Sequence, residues 1–179
     1  MLDTLYQVER VLPELLGDEK GWNSVFADSE KPHLRRLWRQ WNEYRINLHQ
    51  FTACEPKEEF PHPHPWQMAV RILEGQYSMG TGISSDPNKI PMLTEHKVYN
   101  PGDCYEMLDA DLWHAIRPIG EEILTIMVSG PPIFPQNRKR ANKAVRELYP
   151  EERSRLFEKI TRSILNCRYC LQQNQLFRE

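Results

Sequence analysis

The sequence predicts a mainly β domain, an antiparallel sandwich or barrel, carried between α-helical extensions at both ends. Three observations point there. Seven short runs of β-formers, "YRINLHQF", "MAVRIL", "QYSMGTGI", "HKVYN", "CYEML", "WHAIRP" and "EILTIMVS", follow one another between residues 44 and 134. Turn signals such as "EG", "DPN", "NPGD" and "PIGEE" separate them, and no helical periodicity lies between them. Most of the 14 prolines fall between Pro56 and Pro135, punctuating the same middle section.

The first zone, to about Asn42, reads as helix. "LDTLYQVERVLPELL" spaces Leu2, Leu5, Val8, Leu12 and Leu15 close to a 3.6-residue period, with Pro13 expected to bend or end the helix. "KPHLRRLWRQWNEY" opens on Pro32 and sets Leu34, Leu37, Trp38 and Trp41 on one helical stripe that would pack on a sheet. The last zone, after "SGPPIFP", has helical spacing at Ala144, Leu148, Leu156, Ile160, Ile164 and Leu171, with a break at Pro150. A chain of 179 residues suits one domain with a real core. The expected divisions are a helical extension over 1–43, a barrel over 44–134 and a helical C-terminal extension over 135–179.

Charge and cysteine usage exclude some function classes. Lys and Arg number 23 against 25 Asp and Glu, a formal charge of −2, so no overall field draws the chain to nucleic acid or anionic lipid. The basic run from Arg138 to Arg146 lacks aromatics and is followed at once by acids, which favours a solvated helical start. The opening residues carry acids every few positions, unlike an export signal, and no apolar run approaches the roughly 18 residues of a membrane span. A cytoplasmic protein with reduced thiols at Cys54, Cys104, Cys167 and Cys170 is therefore expected. "NCRYC" is a C-x-x-C without a second pair to complete a zinc set, so two thiols on adjacent helical turns is its plainer reading.

The stretch that carries chemistry is "FPHPHPWQMAVRILEG". Residues i and i+2 of a strand point to the same face, so His62 and His64 can present both imidazoles in one direction. Such a pair suits two ligands of one metal, with a third from elsewhere in the fold; a bare H-x-H is otherwise a proline-stiffened loop. Further on, "YNPGDCYEMLDADLWHAIRPIG" sets a Gly-Asp turn, a strand, a polar loop and then His114 at the start of another strand. "HPHPWQMAVRILEG" resembles the first cupin motif, and "PGDCYEMLDADLWHAI" resembles the second, with "DADL" where that family usually has Pro-x-Gly. The resemblance covers residues 45 to 134. It implies a cupin-like antiparallel jelly-roll β-barrel with His62, His64 and His114 converging on a divalent metal inside.

Many cupins carry a Glu ligand four residues after the second histidine; that position here is Met68, a poor ligand for a hard cation. A set of three neutral histidines resembles the thiol dioxygenase branch, which implies Fe(II), O₂ as co-substrate, and a small thiol or other anionic chelating substrate. The candidate position for that branch's Cys-Tyr crosslink is Ala69, which argues against cysteine itself. Zn, Mn or Ni in a cupin isomerase, lyase or hydrolase is an alternative. Another is a non-catalytic ligand-binding domain whose helical ends make a homodimer.

If His62 and His64 face inward, Trp66, Met68, Val70 and Ile72 follow as an apolar lining, with Trp66 at the mouth able to cap a ligand. His49 is a candidate proton-transfer group or a support for a ligand histidine, and Glu106 a candidate acid/base or substitute ligand. Arg71 is expected as a surface charge on the face opposite the histidines, and Glu74-Gly75 as the turn of a hairpin.

Overall fold

The computed structural model of the protein describes residues 1–27, 31–86, 88–133 and 145–167. Along the chain come α1 (Leu2–Leu15), β1 (Asn23–Ala27), β2 (Leu34–Trp41), β3 (Tyr44–Thr52), β4 (His62–Pro63), β5 (Trp66–Ile83) and β6 (Glu95–Tyr99). There follow β7 (Cys104–Met107), β8 (Leu112–Pro132), β9 (Val145–Arg146) and α2 (Pro150–Asn166). The strands join one antiparallel sheet in the order β6-β5-β8-β3-β2-β1-β9, with β4 also on β8 and β7 also on β5. Among the described residues no helix is long and apolar enough to cross a membrane.

The frame is the ribbon made by β5 and β8, of 18 and 21 residues. Its first half pairs Trp66–Glu74 with Leu124–Pro132, and its second pairs Gln76–Ile83 with Leu112–Ile119. Between them the register shifts on both sides of Glu74. An extra residue in a strand reverses which face the following side chains take. Met68, Val70 and Ile72 therefore share one inner cluster with Tyr77, Met79 and Tyr99, although the numbers change from even to odd. On β8 the change runs from Ile116 to Ile123 and Met127. The bent ribbon thus supplies two facing walls, giving a fold of sandwich or jelly-roll type.

Glycine makes the bend feasible. Gly75 has φ +75°, and a Cβ there would lie 2.4 Å from the Glu122 carbonyl oxygen. Gly120, in the matching stretch of β8, has φ +94° with open space around it. The "EG" and "PIGEE" stretches expected as turns between separate strands are therefore bends within continuous strands, and the expected hairpin at Glu74-Gly75 does not form.

The other face of the sheet is covered by the helices. Leu5, Val8 and Leu12 of α1 and Leu156, Phe157, Ile160 and Ile164 of α2 pack with Leu37, Ile46, Leu48, Ala69, Leu73, Ile126 and Val128. Helix α1 runs through Pro13 and ends two residues later. Helix α2 has Pro150 in its first turn, and the Glu152 carboxylate accepts a hydrogen bond from the Tyr149 N–H at 3.0 Å, so Pro150 starts the helix rather than breaking it. Ala144 and Leu171 lie outside the described residues.

The expected helical extension over 1–43 is corrected: residues 23–27 and 34–41 are strands β1 and β2 of the sheet. "LRRLWRQW" carries apolar residues on both faces, Leu37 and Trp41 toward the helices and the half-buried Leu34 and Trp38 on the other. A strand with bulky apolar residues on each face loses the simple period of two. At the other end, β9 replaces expected helix at 145–146.

Arg71 does lie on the face opposite the inner cluster, but it is 5% exposed rather than a surface charge. Its guanidinium forms a fork on the Glu9 carboxylate of α1 through Nε and Nη2, and Nη1 donates to the Gly102 carbonyl at 2.8 Å. Burial pushes the Glu9 carboxyl up from the ordinary range, while the Arg71 fork opposes that shift. Glu9→Ala should therefore strand a buried cation and cost about 3–5 kcal/mol in denaturant unfolding, whereas the double change Glu9→Leu/Arg71→Met should recover most of it. Gly120→Ala should cost about 1–2 kcal/mol from left-handed backbone alone. Gly75→Ala should cost clearly more, because it adds the collision with Glu122; the two urea midpoints give the comparison.

Candidate metal centre

Short local pairings bring the histidines together. His62 sits in β4 directly opposite His114 of β8, and His114 is in turn paired with Thr81 of β5. β4 is only two residues long, so His64 lies just beyond it, yet its ring still turns to the same point. The three ring centroids are 4.7–4.9 Å apart. One potential ligand atom from each of His62, His64 and His114 lies within 4.8 Å of the others.

Their hydrogen bonds orient the rings. His62 Nδ1 is 3.0 Å from the Phe60 carbonyl oxygen, which accepts its proton and leaves Nε2 as the lone-pair atom. His114 Nδ1 meets the Met79 sulfur at 3.4 Å, and its Nε2 faces His64 Nε2 at 2.9 Å. Two such nitrogens either share one proton or direct both lone pairs at a common cation. Burial, with His62 beside it, pushes His114 well below the ordinary imidazole value, so it is neutral and able to act as a ligand. With metal–nitrogen bonds of about 2.0–2.1 Å, ligand nitrogens stand roughly 2.8–3.4 Å apart between right-angled and tetrahedral arrangements, so the 2.9 Å pair falls within that range. No acid belongs to the cluster among the described residues. Met68, at the position considered for a carboxylate, is 1% exposed in the inner cluster.

Trp66 borders this site: its ring centroid is 5.7 Å from that of His64, and it packs on the inner cluster. His49 also faces inward, in the row Arg36–His49–Thr125–Ile72 across β2, β3, β8 and β5. It is 5% exposed, with Nδ1 3.3 Å from the Thr125 hydroxyl. Burial, then the neighbouring Arg36 charge, holds it well below the usual imidazole value, hence neutral. Its Nε2 and the Oδ1 of Asn47 are buried without a hydrogen-bond partner among the described residues.

Glu106 does not join the histidines. Its carboxylate accepts from the Leu2 N–H at 3.0 Å and pairs with the amino group of Met1 at 3.0 Å, and that hydrogen-bonded ammonium holds it below the ordinary carboxylate range. The role expected for it as acid/base or substitute ligand is corrected: Glu106 is paired with Ala69, whose face is the helix side. Cys167 is half-buried, while Cys170 lies outside the described residues.

The sequence reading missed the tyrosines behind the site. Tyr77, Tyr99 and Tyr105 pack with ring centroids 4.7–6.4 Å apart, and the Tyr77 hydroxyl donates to Tyr105 at 2.6 Å. They come from three strands, and only the pairing of β6 and β7 with β5 brings them together.

A divalent cation held at this point stabilises the folded state by mass action. At one hundred times its dissociation constant, Fe(II) or Co(II) should add about 2.7 kcal/mol to anaerobic unfolding, and His62→Ala or His114→Ala should abolish the gain.

No protein-family model matches the chain, and no curated protein matches it by sequence. Among solved structures it is similar over part of its length to hydroxypropylphosphonic acid epoxidase from S. wedmorenis, at 12% identity over 59% of this chain and 55% of that one, with a TM-score of 0.47. The Streptomyces albus HEPD structure with 2-hydroxyethylphosphonate and Fe(II) bound matches at 11% identity over 62% of this chain and 24% of that one, TM-score 0.47. A Bacillus halodurans protein matches at 16% identity over 74% of this chain and 85% of that one, TM-score 0.46. The match to the epoxidase thus spans about half of that enzyme's length. Likenesses of this size leave the function to be argued from the chain's own residues.

Proposed function

We propose that the protein is a metal-dependent enzyme of cupin type, a non-haem Fe(II) dioxygenase acting on a small thiol or another anionic chelating molecule. The observation that carries this reading is the convergence on one point of three imidazoles and, among the described residues, no carboxylate. Bound there, Fe(II) would supply open coordination positions for substrate and O₂, with its full charge favouring an anionic donor.

The chain's own residues divide the remaining work. The Phe60 carbonyl and Met79 sulfur fix the orientation of two ligand rings. Met68, Val70, Ile72 and Met127 make the inner walls apolar and keep water from the site. Trp66, against His64 at the rim, covers the bound substrate. His49, neutral and held by Thr125, is the candidate to take or return a proton at Nε2. For a thiol the balanced conversion is RSH + O₂ → RSO₂H, with both oxygen atoms retained on sulfur.

Metal analysis with an oxygen electrode tests this. Protein purified without chelator should contain about one Fe per chain and take up O₂ when given a small thiol. Changing His62 or His114 to Ala should reduce uptake at least a hundredfold, whereas His49→Gln should lower kcat and alter its pH profile with the iron content unchanged. Stoichiometric Zn, Mn or Ni with no O₂ uptake would overturn the dioxygenase reading in favour of Lewis-acid chemistry. Absence of metal with the fold intact would leave a binding domain.

A further inference from the structure

The Nε2 atoms of His64 and His114 lie 2.9 Å apart, and without a cation between them they share one proton. On its own this pair is symmetric, because either neutral ring can donate and either can accept. The other nitrogen of His114 breaks the symmetry. It meets the sulfur of Met79 at 3.4 Å, and both residues are 5% exposed. A thioether has lone pairs and no proton to give, so this contact is a hydrogen bond only when His114 carries its proton on Nδ1.

Strand pairing brings the sulfur there. Thr81 of β5 is the cross-strand partner of His114, and Met79 lies two residues back on the same face, opposite Ile116. Met79 belongs to the inner cluster, and its unbranched chain can carry the sulfur to the ring. On its other side β5 pairs with β6, where Met79 faces Lys97.

We propose that Met79 is a positioning residue that selects the tautomer of His114: its sulfur holds the proton on Nδ1, leaves Nε2 as a lone pair for a divalent cation, and assigns the proton between the two rings to His64. The proposal rests on the reading of the histidine cluster as a metal centre and adds how that centre is kept ready. The Phe60 carbonyl sets His62 in the same way, so two of the three rings present Nε2 lone pairs before a cation arrives. The ring left to move its proton is His64, which is half-buried and lies beyond the end of β4. A thioether is also a weak acceptor. It leaves the His114 ring a plain neutral imidazole, where a carboxylate would draw on the proton and make the ligand more basic.

Nitrogen-15 spectra of the histidine rings in chelator-treated protein read the tautomers with no metal present, and Co(II) titration reads the consequence. In the wild type, His114 should be protonated on Nδ1 and bare on Nε2, with His64 protonated on Nε2. Met79→Leu stays apolar and close in volume, so a role confined to packing would leave the His114 tautomer where it was. Instead the proton should appear partly or wholly on Nε2, and Co(II) affinity should fall by about tenfold or more. Met79→Glu supplies an acceptor facing Lys97, with room in the cavity of about 220 Å³ that residues 79 and 97 both line. It should return the proton to Nδ1 and restore Co(II) binding. A proton on Nε2 in the wild type, a His114 tautomer or Co(II) affinity unmoved by Met79→Leu, or no recovery in Met79→Glu would each overturn the assignment. Failure of the metal reading would appear instead as wild-type protein that binds no Co(II), while the ring spectra still decide the role of Met79.

Discussion

The bend shared by the two longest strands is the constraint on which the rest depends. A straight β5 would send Met68, Val70 and Ile72 to one side and Tyr77 and Met79 to the other. The register shifts around Glu74, made feasible by Gly75, reverse the alternation so that both halves turn the same way. β8 makes the matching change between Ile116 and Ile123. This one device encloses an interior, and it also decides that His114, two residues before Ile116, points inward toward Met79. The short strands β6 and β7 follow different halves of the bent β5.

Polarity is distributed unevenly across the two faces. On the helix side the buried charge of Arg71 is met by Glu9 and by a backbone carbonyl, an arrangement that joins α1 to the sheet. Inside, the polar groups are less completely satisfied: His49 Nε2 and Asn47 Oδ1 are buried and lack hydrogen-bond partners among the described residues. Buried polar atoms left unpaired cost free energy, typically about 1–3 kcal/mol each, so their concentration on the interior face is consistent with a site that is completed by a polar ligand or water.

Much of the site was legible because ligand spacing is local. "HPHP" puts two imidazoles within three residues, and "DLWHAI" puts the third at the start of a strand. The inward run Met68, Val70, Ile72 followed from period-two alternation, and the buried face of α1 followed from the spacing of Leu5, Val8 and Leu12. What failed was non-local. "LRRLWRQW" looked helical because its apolar residues fall on both faces of the strand, Leu37 and Trp41 toward the helices and Leu34 and Trp38 on the other. Glu74-Gly75 looked like a turn because a positive φ serves a bend as well as a hairpin. Arg71 looked solvated because Glu9, its partner, is 62 residues away. Glu106 pairs with the Met1 amino group, and the tyrosine cluster joins three strands; neither leaves a pattern in adjacent residues.

The most direct test of the central claim is an anomalous difference map collected at the iron absorption edge from crystals of protein loaded anaerobically with Fe(II). The account predicts one strong peak about 2.0–2.2 Å from a ring nitrogen of each of His62, His64 and His114, with open positions toward the interior. An empty map between those rings, or a metal held elsewhere while the three imidazoles stay hydrogen-bonded to one another, would contradict it.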